Sequence, residues 1–393
     1  MLSGTPPPEP RKAVLRTLRD ADGALLDRAL VLFYRAPASV TGEDVVELHC
    51  HGGRAIIAAV ERALEAQGCR RAEPGEFTRR AFQNGRLNLT EAEGLADLLA
   101  AETELQRLAA VDMAGGRFSA KVEGWRQRVL RLSALVEVAL DFADDDGAGD
   151  LPSIFRQDVA VLADELADWL NRPRAERLRE GIRVIIAGPP NSGKSTLFNA
   201  LLEDEAAITS PEAGTTRDVL ERNVALDGVP FTFVDTAGLR DEGAGAIEAI
   251  GIARARQHIG GADLVLWLGP EADKPVGAWD IDSRIDAPDH RAKCKPAHRV
   301  SGVTNEGVPA LKRDMIDHAR NLLPKPGQLA VNRRQAHLLS EAMASLHLIG
   351  SSSNELIIAE YLRQARLAFD KLLGRTTTED MLDTLFSRFC IGK

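Results

Sequence analysis

The stretch of sequence that decides the fold is GPPNSGKS, at positions 188–195. It matches the pattern G-x-x-x-x-G-K-[ST], and it follows the β-like run RVIIA and precedes the helix-like run TLFNALL. In that setting the glycines let backbone N–H groups wrap a phosphate at the start of a helix, Lys194 adds its charge, and Ser195 offers a hydroxyl to Mg²⁺. The stretch therefore predicts a nucleotide-binding loop that contains Gly188, Asn191, Ser192, Gly193, Lys194, Ser195 and Thr196.

A second motif follows 40 residues after Ser195, where FVDTAG ends an apolar, strand-like run. Asp235 in this motif is the residue type that supports a bound Mg²⁺ through its coordinated water. Gly238 follows closely, and its backbone N–H is expected to contact a γ-phosphate. The two motifs together predict a nucleoside triphosphate site with far more specificity than either motif alone.

Between these motifs lies AGTTRD, at positions 213–218, which predicts a mobile loop. Thr215 and Thr216 are predicted to bind the nucleotide, and a threonine hydroxyl there, assigned to Thr216, would complete the Mg²⁺ coordination as the loop closes on the triphosphate. The alternative is a plain turn ahead of a strand.

The composition limits the possible classes of protein. The chain has 393 residues, enough for two or three domains of roughly 150 residues each. Its 44% hydrophobic and 27% charged residues are typical of globular proteins, and a net charge of −9 excludes a uniformly basic surface for nucleic acid. The four cysteines lack CxxC spacing, which argues against a disulfide framework. With no apolar run of about 18 residues and no leader pattern, we expect a cytoplasmic protein outside the membrane.

The pattern of apolar residues divides the chain into four segments. Residues 1–85 combine short strand-like runs with a helix, which predicts an α+β domain. Residues 86–180 and 324–393 have helical periodicity, whereas residues 181–323 alternate strands and helices, as is typical of a parallel sheet. Neither helical segment is expected to bury its apolar stripe alone. We therefore expect the two helical segments to pack together, with the α/β domain inserted between them.

Local signals predict where some elements begin and end. The turn residues 20–23 separate two strand-like runs, which predicts a strand pair. Thr90 with Glu93 three residues later forms a capping-box pattern and predicts a helix start, and Thr378 is predicted to cap the last helix. Residues 272–299 have no clear period and are predicted to be irregular.

Several motifs together resemble those of one known family. GPPNSGKST, AGTTRD and DTAGLR occur in this order, with PGEFTRRAFQNGRLNLTEAE before them and FCIGK at the end of the chain. In this combination the sequence resembles the MnmE family, also called TrmE, of tRNA-modifying GTPases. The resemblance implies a multidomain α+β and α/β fold. Its parts would be an N-terminal α+β domain that binds folate and dimerises, a discontinuous helical domain, and an inserted Ras-like P-loop G domain.

The resemblance also implies a reaction. GTP would be hydrolysed to GDP and phosphate, coupled to a (carboxymethyl)aminomethyl-type modification at C5 of the wobble uridine in tRNA. The implied cofactors are GTP, Mg²⁺, K⁺ and a tetrahydrofolate derivative that carries a one-carbon unit. The implied partners are tRNA, an MnmG-like FAD protein that uses NADH, and a second copy of the chain in a homodimer.

Three residues take a role from the resemblance. Asn191 falls on the family's potassium-binding asparagine, where the cation supplies charge that other GTPases obtain from an arginine finger. Glu248 falls on the glutamate that orients the attacking water, and Cys390 falls on the terminal cysteine implicated in the modification reaction. By composition alone, Cys390 follows Phe389 on an apolar helix face and fits a buried structural thiol, so both interpretations stay open.

The base-recognition motif departs from the family pattern. SRID, at 283–286, is its counterpart, and Asp286 would accept hydrogen bonds from the guanine N1 and N2 groups. Arg284 stands where the family has lysine, and its planar fork is not expected to reproduce the packing of the lysine stem. SGVT, at 301–304, resembles the family's base-contacting loop and adds Ser301 to the predicted site.

The sequence is also compatible with a second class of function, a binding scaffold instead of an enzyme. The family's opening strands have no counterpart ahead of MLSGTPPPEP, which predicts an N-terminal domain truncated at its start. With the altered base motif, this allows a nucleotide-gated scaffold that binds an RNA or a protein partner and hydrolyses weakly. A ribosome-assembly GTPase is a third interpretation, against which the FCIGK ending argues.

Other clusters give weaker signals. His49 and His51 have strand spacing but no third ligand nearby, so a plain strand is favoured over a metal site. His290, Cys294 and His298 have helical spacing, but the prolines around them argue against one helix. Two basic clusters fit either tRNA phosphates or a solvated charged face. They are Arg70, Arg71, Arg79, Arg80 and Arg86, and Lys121, Arg126, Arg128 and Arg131.

Overall fold

The computed structural model describes residues 2–141, 151–202, 221–234, 261–376, 379–387 and 389. The chain forms two compact units. The first unit consists of Met1–Leu99, Met113–Arg126 and Phe369–Lys393, and the second of Ala100–Asp112 and Gln127–Ala368. None of the helices in the described part of the chain has the length and apolarity needed to span a bilayer.

The first unit begins with a small antiparallel sheet. Its strands pair in the order β1 (Val14–Arg19), β2 (Leu25–Tyr34) and β3 (Val45–His49). The predicted strand pair is therefore confirmed, and its turn has Gly23 at a φ of +82°. Helix α1 (Arg54–Glu65) covers one face of the sheet. The core between them contains Leu18, Ala29, Val31, Val60 and Ala63.

Four helices follow the sheet along the chain. They are α2 (Glu76–Gln83), α3 (Leu89–Leu99), α4 (Glu104–Ala114) and α5 (Arg117–Asp141). Helix α5 is the longest of them, and its inward residues in the first unit include Phe118, Val122 and Trp125, all almost fully buried. The change from strands to helices near Leu87 agrees with the predicted helical segment.

The start of α3 differs from the prediction in its capping residues. The Asn88 side chain accepts a hydrogen bond from the Glu91 backbone at 3.1 Å, and the Glu91 carboxylate accepts one from the Asn88 backbone at 3.0 Å. This reciprocal pair is a capping box two residues before the predicted Thr90 and Glu93. Asparagine caps a helix as well as threonine does, and here it leaves Thr90 fully buried within the first turn.

The second unit contains two helices and then a mixed sheet with its own helices. The helices are α6 (Phe155–Leu170) and α7 (Ala175–Glu180). The sheet region contains β4 (Ile182–Ala187), α8 (Lys194–Leu202), β5 (Glu221–Leu226), β6 (Val229–Val234), β7 (Leu264–Trp267), β8 (Trp279–Ser283), β9 (His298–Val300) and α9 (Val308–Leu322).

The sheet has the strand order β5-β6-β4-β7-β8-β9. β5 and β6 form an antiparallel edge hairpin, and the remaining pairings are parallel. One apolar cluster joins this sheet to α8 and α9, and fully buried members include Leu201, Phe233, Leu311 and Met315. The predicted parallel sheet with alternating helices is confirmed.

Strand β8 lies within a stretch predicted to be irregular. Residues 272–299 were expected to be irregular, but β8 pairs with β7 on one side and with β9 on the other. The sequence WDIDS lacks the continuous apolar run that is usual in a buried parallel strand, because Asp280 and Asp282 occupy buried positions. At its start, the ring of Trp279 lies 5.7 Å from that of His298 and 5.5 Å from that of His318.

Three further helices complete the chain. They are α10 (Arg333–Ser351), α11 (Glu355–Leu373) and α12 (Glu379–Phe386). Helix α10 packs along α6, so the two predicted helical segments do pack together. The chain enters the sheet region and leaves it at neighbouring points, because the Ala175 backbone donates a hydrogen bond to the Val331 carbonyl at 3.1 Å. The α/β block is therefore an insertion between helices. Thr378, the predicted cap of the last helix, lies outside the described residues.

Helix α12 is fixed to α2 within the first unit. Phe82 and Phe386 have ring centres 6.3 Å apart, and Phe389 joins the same apolar cluster. Arg79 donates hydrogen bonds to Glu379 at 2.5 Å and to Asp383 at 2.7 Å. The apolar cluster and the ion pairs hold the C-terminal helix against the segment that contains PGEFT.

A network of charges stabilises the start of α2. The Glu76 carboxylate accepts two hydrogen bonds from Arg70 at 2.8 Å, one from the Glu73 backbone at 2.9 Å and one from Arg80 at 2.6 Å. The bonds from Arg70, followed by those from Glu73 and Arg80, lower the pKa of Glu76 from 4.5 to about 2. Glu76 is thus a partly buried anchor for two arginines.

We expect Glu76→Gln to lower the stability of the chain by about 1–2 kcal/mol at pH 7. The pKa is lowered in the folded state, so the stabilisation is present above about pH 4.5 and is lost as the pH falls toward 2. Chemical unfolding of the wild-type chain and of Glu76→Gln is measured from pH 7 down to pH 3. The difference between their unfolding midpoints should shrink as the pH falls. Glu73→Gln is the matched control, because its carboxylate is exposed. A loss that is the same at every pH would contradict the assignment.

Candidate nucleotide-binding site

The loop between β4 and α8 adopts backbone angles that require glycine. Gly188 has a φ of +154° and Gly193 a φ of +90°, and Asn191 between them lies at +59°. A Cβ on Gly188 would lie 3.0 Å from the Ser192 hydroxyl, and a Cβ on Gly193 would lie 3.1 Å from Cγ of Arg284. The close approach on both sides fixes the loop in a shape that exposes its backbone N–H groups to a ligand.

The polar side chains of the loop fit an anionic ligand. Lys194 Nζ donates to the Gly188 carbonyl at 3.0 Å and to the Pro189 carbonyl at 2.7 Å, so its charge lies over the loop. The Ser192 hydroxyl is buried and has no hydrogen-bond partner among the described residues. Ser195 and Thr196 lie in the exposed first turn of α8. A nucleotide phosphate with its magnesium ion suits this set of donors and hydroxyls.

The predicted base-recognition residues meet beside this loop. Ser301 is fully buried, and its hydroxyl accepts hydrogen bonds from the backbones of Val303 at 3.2 Å and Thr304 at 3.0 Å. The same hydroxyl donates to the Asp286 carboxylate, which lowers the pKa of that exposed group, with smaller effects from Arg284 and His290. Asp286 is therefore held ionised, as a group that accepts two hydrogen bonds from a base must be.

Arg284 connects base recognition to the phosphate loop. Its planar fork is not expected from residue type to pack as a lysine stem does, but its Cγ and Cδ lie along Gly193, and Nη1 donates to the Asn191 carbonyl at 3.0 Å. The preceding Ser283 hydroxyl donates to the Ser192 carbonyl at 2.7 Å. The aliphatic part of arginine thus packs as a lysine stem would, and the fork adds a hydrogen bond to the loop.

Several predicted site residues lie outside the described residues. They are Thr215, Thr216, Asp235, Gly238, Glu248 and Cys390. The residue before Cys390, Phe389, is described and is buried in the cluster with α2 and α3. The structure therefore brings together the P-loop residues with Arg284, Asp286 and Ser301, and it leaves the remaining predicted roles as predictions.

The first unit contains a cavity of about 830 Å³ away from the P-loop. Its lining includes Phe82, Arg86, Glu91, Glu123 and Arg375. Both oxygens of Glu91 accept hydrogen bonds within the protein, and Glu123 pairs with Arg375 at 2.9 Å. The size lies within the range of small-molecule sites, but its acidic groups are used by the fold itself.

The structure weakens the other signals found in the sequence. Four of the five arginines in the first basic cluster pair with carboxylates, which removes most of their attraction for phosphate. They are Arg70, Arg71, Arg79 and Arg80. His49 pairs with Glu47, and His51 pairs with Asp27. The described residues contain no group of three or more potential ligands that could hold a metal ion.

The fold and this site define a P-loop nucleotide-binding protein with a base-recognition loop beside the phosphate loop. Two family models match the chain. The model described as "GTP-binding protein TrmE N-terminus" matches residues 1–86, and the model described as "MnmE helical domain" matches residues 89–390.

Full-length relatives give the same result. The chain is 62% identical to the tRNA modification GTPase MnmE of Erythrobacter litoralis, over 98% of this chain and 91% of the relative. It is 58% identical to the protein of that name from Novosphingobium aromaticivorans, with the same two coverages. The chain therefore belongs to the MnmE family of tRNA modification GTPases.

A solved structure of a G domain also resembles part of the chain. It is the G domain of the FeoB iron transporter of T. maritima, which is 24% identical over 35% of this chain and 98% of that chain. The TM-score is 0.25, which is too low to define a shared fold.

We expect Arg284→Ala to weaken GDP binding about tenfold, because the P-loop would lose both the packed stem and the hydrogen bond to Asn191. Arg284→Lys keeps the stem and should lose less. Isothermal titration calorimetry with GDP and Mg²⁺ measures both. Arg291→Ala is the control, because this arginine of the same connection is exposed and has no hydrogen bond or ion pair with the described residues. Wild-type affinity in Arg284→Ala would refute the role.

Proposed function

We propose that this chain hydrolyses GTP in the course of tRNA modification. The observation that carries the proposal is the junction of the P-loop with the Arg284–Asp286 turn, where a phosphate site and a base site share contacts. Membership of the MnmE family supports the same reaction, because its relatives are named as tRNA modification GTPases. The chain covers 91% of the length of those two relatives, so the proposal concerns the whole protein rather than one domain.

The phosphate loop would bind the triphosphate. Lys194 would exchange its bonds to the loop carbonyls for bonds to the phosphates, and the unpartnered Ser192 hydroxyl would gain an acceptor. Ser195 would bind Mg²⁺, which when bound supplies charge that stabilises the phosphates as the γ-phosphoryl group leaves. The residues around the loop are thus suited to positioning and charge stabilisation.

The turn at Arg284–Asp286 would select guanine. The ionised Asp286 carboxylate accepts two hydrogen bonds from the N1 and N2 groups of guanine, and adenine cannot supply that pair. Ser301 would hold the Asp286 carboxylate in place, because two backbone N–H groups fix the Ser301 hydroxyl. Selection and phosphate binding would be coupled through Arg284.

The remaining catalytic roles rest on the family resemblance. Asn191 would bind K⁺ beside the phosphates, and Glu248 would orient the attacking water. Thr216 would complete the Mg²⁺ coordination with Thr215 beside it. Asp235 would support the ion, and Gly238 would contact the γ-phosphate.

The modification reaction is proposed on the same basis. Cys390 would act in it, with a tetrahydrofolate derivative as the one-carbon donor and an MnmG-like FAD protein as the partner. The substrate would be a tRNA, and the chain would act as a homodimer. Residues 1–86, which match the TrmE N-terminal model, are the segment in which the resemblance places folate binding. The segments 1–85, 86–180, 181–323 and 324–393 are the proposed domains.

We expect phosphate release to be selective for GTP over ATP and faster in potassium than in sodium buffer. Asn191→Ala should remove the difference between the two salts and lower turnover by about tenfold or more. Lys194→Ala should abolish turnover with either salt. Initial rates of phosphate release with each nucleotide in each buffer are the measurement.

The matched control is Asn171→Ala, because this exposed asparagine lies just after α6, far along the chain from the P-loop. It should leave the rates unchanged. Equal slow rates with both nucleotides and both salts would overturn the proposal and favour a nucleotide-gated scaffold. Rapid GTP hydrolysis without dependence on potassium would refute the role of Asn191 alone.

A further inference from the structure

Strand β8 buries two carboxylates next to the base-recognition turn. Asp280 is 5% exposed and Asp282 is 2% exposed, and both belong to an interior strand of a mostly parallel sheet. Such strands are normally continuous apolar runs, because both of their faces are covered. A buried carboxylate is costly unless a cation or a hydrogen-bond donor compensates it. The groups that pair with these two carboxylates therefore offset the cost of burying them.

Both carboxylates are compensated by the segment that follows β8. His290 donates from Nε2 to Asp282 at 2.8 Å, and the Lys293 backbone donates to the other oxygen of Asp282 at 3.3 Å. Lys293 Nζ donates to Asp280 at 2.5 Å and to the carbonyl that ends β7 at 3.4 Å. Arg299 on β9 adds a longer contact of 3.6 Å to Asp282. The strand and its following connection are thus joined by buried polar contacts.

The connection itself contains no helix. Parallel neighbours such as β8 and β9 are usually joined through a helix that packs on the sheet, but residues 284–297, all described, form turns, bends and irregular backbone. In the first turn, the Ala287 backbone N–H donates to the Arg284 carbonyl at 2.9 Å. In the second turn, the His290 backbone N–H donates to the Ala287 carbonyl at 3.0 Å. Asp286 lies inside this pair of turns, and the side chain of His290 returns to β8.

We propose that His290, held by the buried carboxylate of Asp282, is a positioning residue that fixes Asp286 for guanine and so sets the base selectivity of the nucleotide site. The proposal rests on the proposed GTPase function, since it assigns a selectivity device to that site. His290 does not touch the base. Its backbone closes the second of the two turns around Asp286, and its side chain joins those turns to β8. A helix packed on the sheet would otherwise hold this connection in place.

The two side chains that pair with the buried carboxylates have separable tasks. His290 closes the turns that carry Asp286, whereas Lys293 lies three residues further on and joins Asp280 to β7. Without His290, Asp282 keeps the Lys293 backbone N–H and Arg299 as partners, so the base-recognition turn should be freed while the sheet stays folded. Loss of Lys293 should leave a buried charge uncompensated and lower the stability of the sheet.

The test compares GDP and ADP binding by isothermal titration calorimetry, with Mg²⁺ present, in the full chain. His290→Ala is expected to raise the Kd for GDP about tenfold and to leave the Kd for ADP unchanged. In steady-state hydrolysis, KM for GTP should rise with kcat retained, because the phosphate contacts are untouched. His290→Gln should recover most of the selectivity, since its amide can donate to Asp282.

The control is Arg291→Ala, the adjacent exposed residue, which should behave as wild type. An unchanged ratio of GDP to ADP affinity in His290→Ala would overturn the proposal. So would an equal loss for both nucleotides together with a lower unfolding temperature, which would mean a purely structural role. A wild-type chain that binds GDP and ADP equally would instead refute guanine selection itself, and that outcome is seen before any variant is made.

Discussion

The base-recognition edge of this protein depends on the compensation of two carboxylates buried in β8. Asp280 and Asp282 can occupy an interior strand only because a lysine and a histidine from the next connection reach them. That requirement fixes the path of the chain between β8 and β9 without a helix. The turn that contains Asp286 takes its position from this path, and Arg284 at the start of the turn contacts the phosphate loop.

The phosphate loop and the base-recognition turn are therefore connected by direct hydrogen bonds. Ser283 and Arg284 both donate to carbonyls of the P-loop, so a shift of β8 would move both halves of the site together. The glycine at position 193 makes this possible, because a side chain there would meet the stem of Arg284. A substitution that changes base affinity through this contact should be expected to change phosphate affinity as well.

Much of this arrangement could be predicted from local sequence. The P-loop, the helical segments and the inserted parallel sheet follow from glycine spacing and apolar period, which act over a few residues. Strand β8 could not be predicted, since WDIDS lacks the continuous apolar run of an interior strand and its buried aspartates depend on contacts with His290 and Lys293 that only the folded chain makes. The capping box of α3 was placed at Thr90 instead of Asn88, because both residues satisfy the same short pattern. The packing of Arg284 depends on three-dimensional contact, and residue type alone gave the wrong expectation.

The position of Trp279 has a consequence for spectroscopy. Its indole ring stands at the start of β8 beside two imidazole rings, five residues before Arg284, where the turn that contains Asp286 begins. The emission of an indole changes with the groups that touch its ring, and this ring touches β9 and α9 as well as its own strand. The chain has four tryptophans, so in a variant that keeps Trp279 alone the intrinsic emission can follow the movement of the base-recognition edge without an attached label.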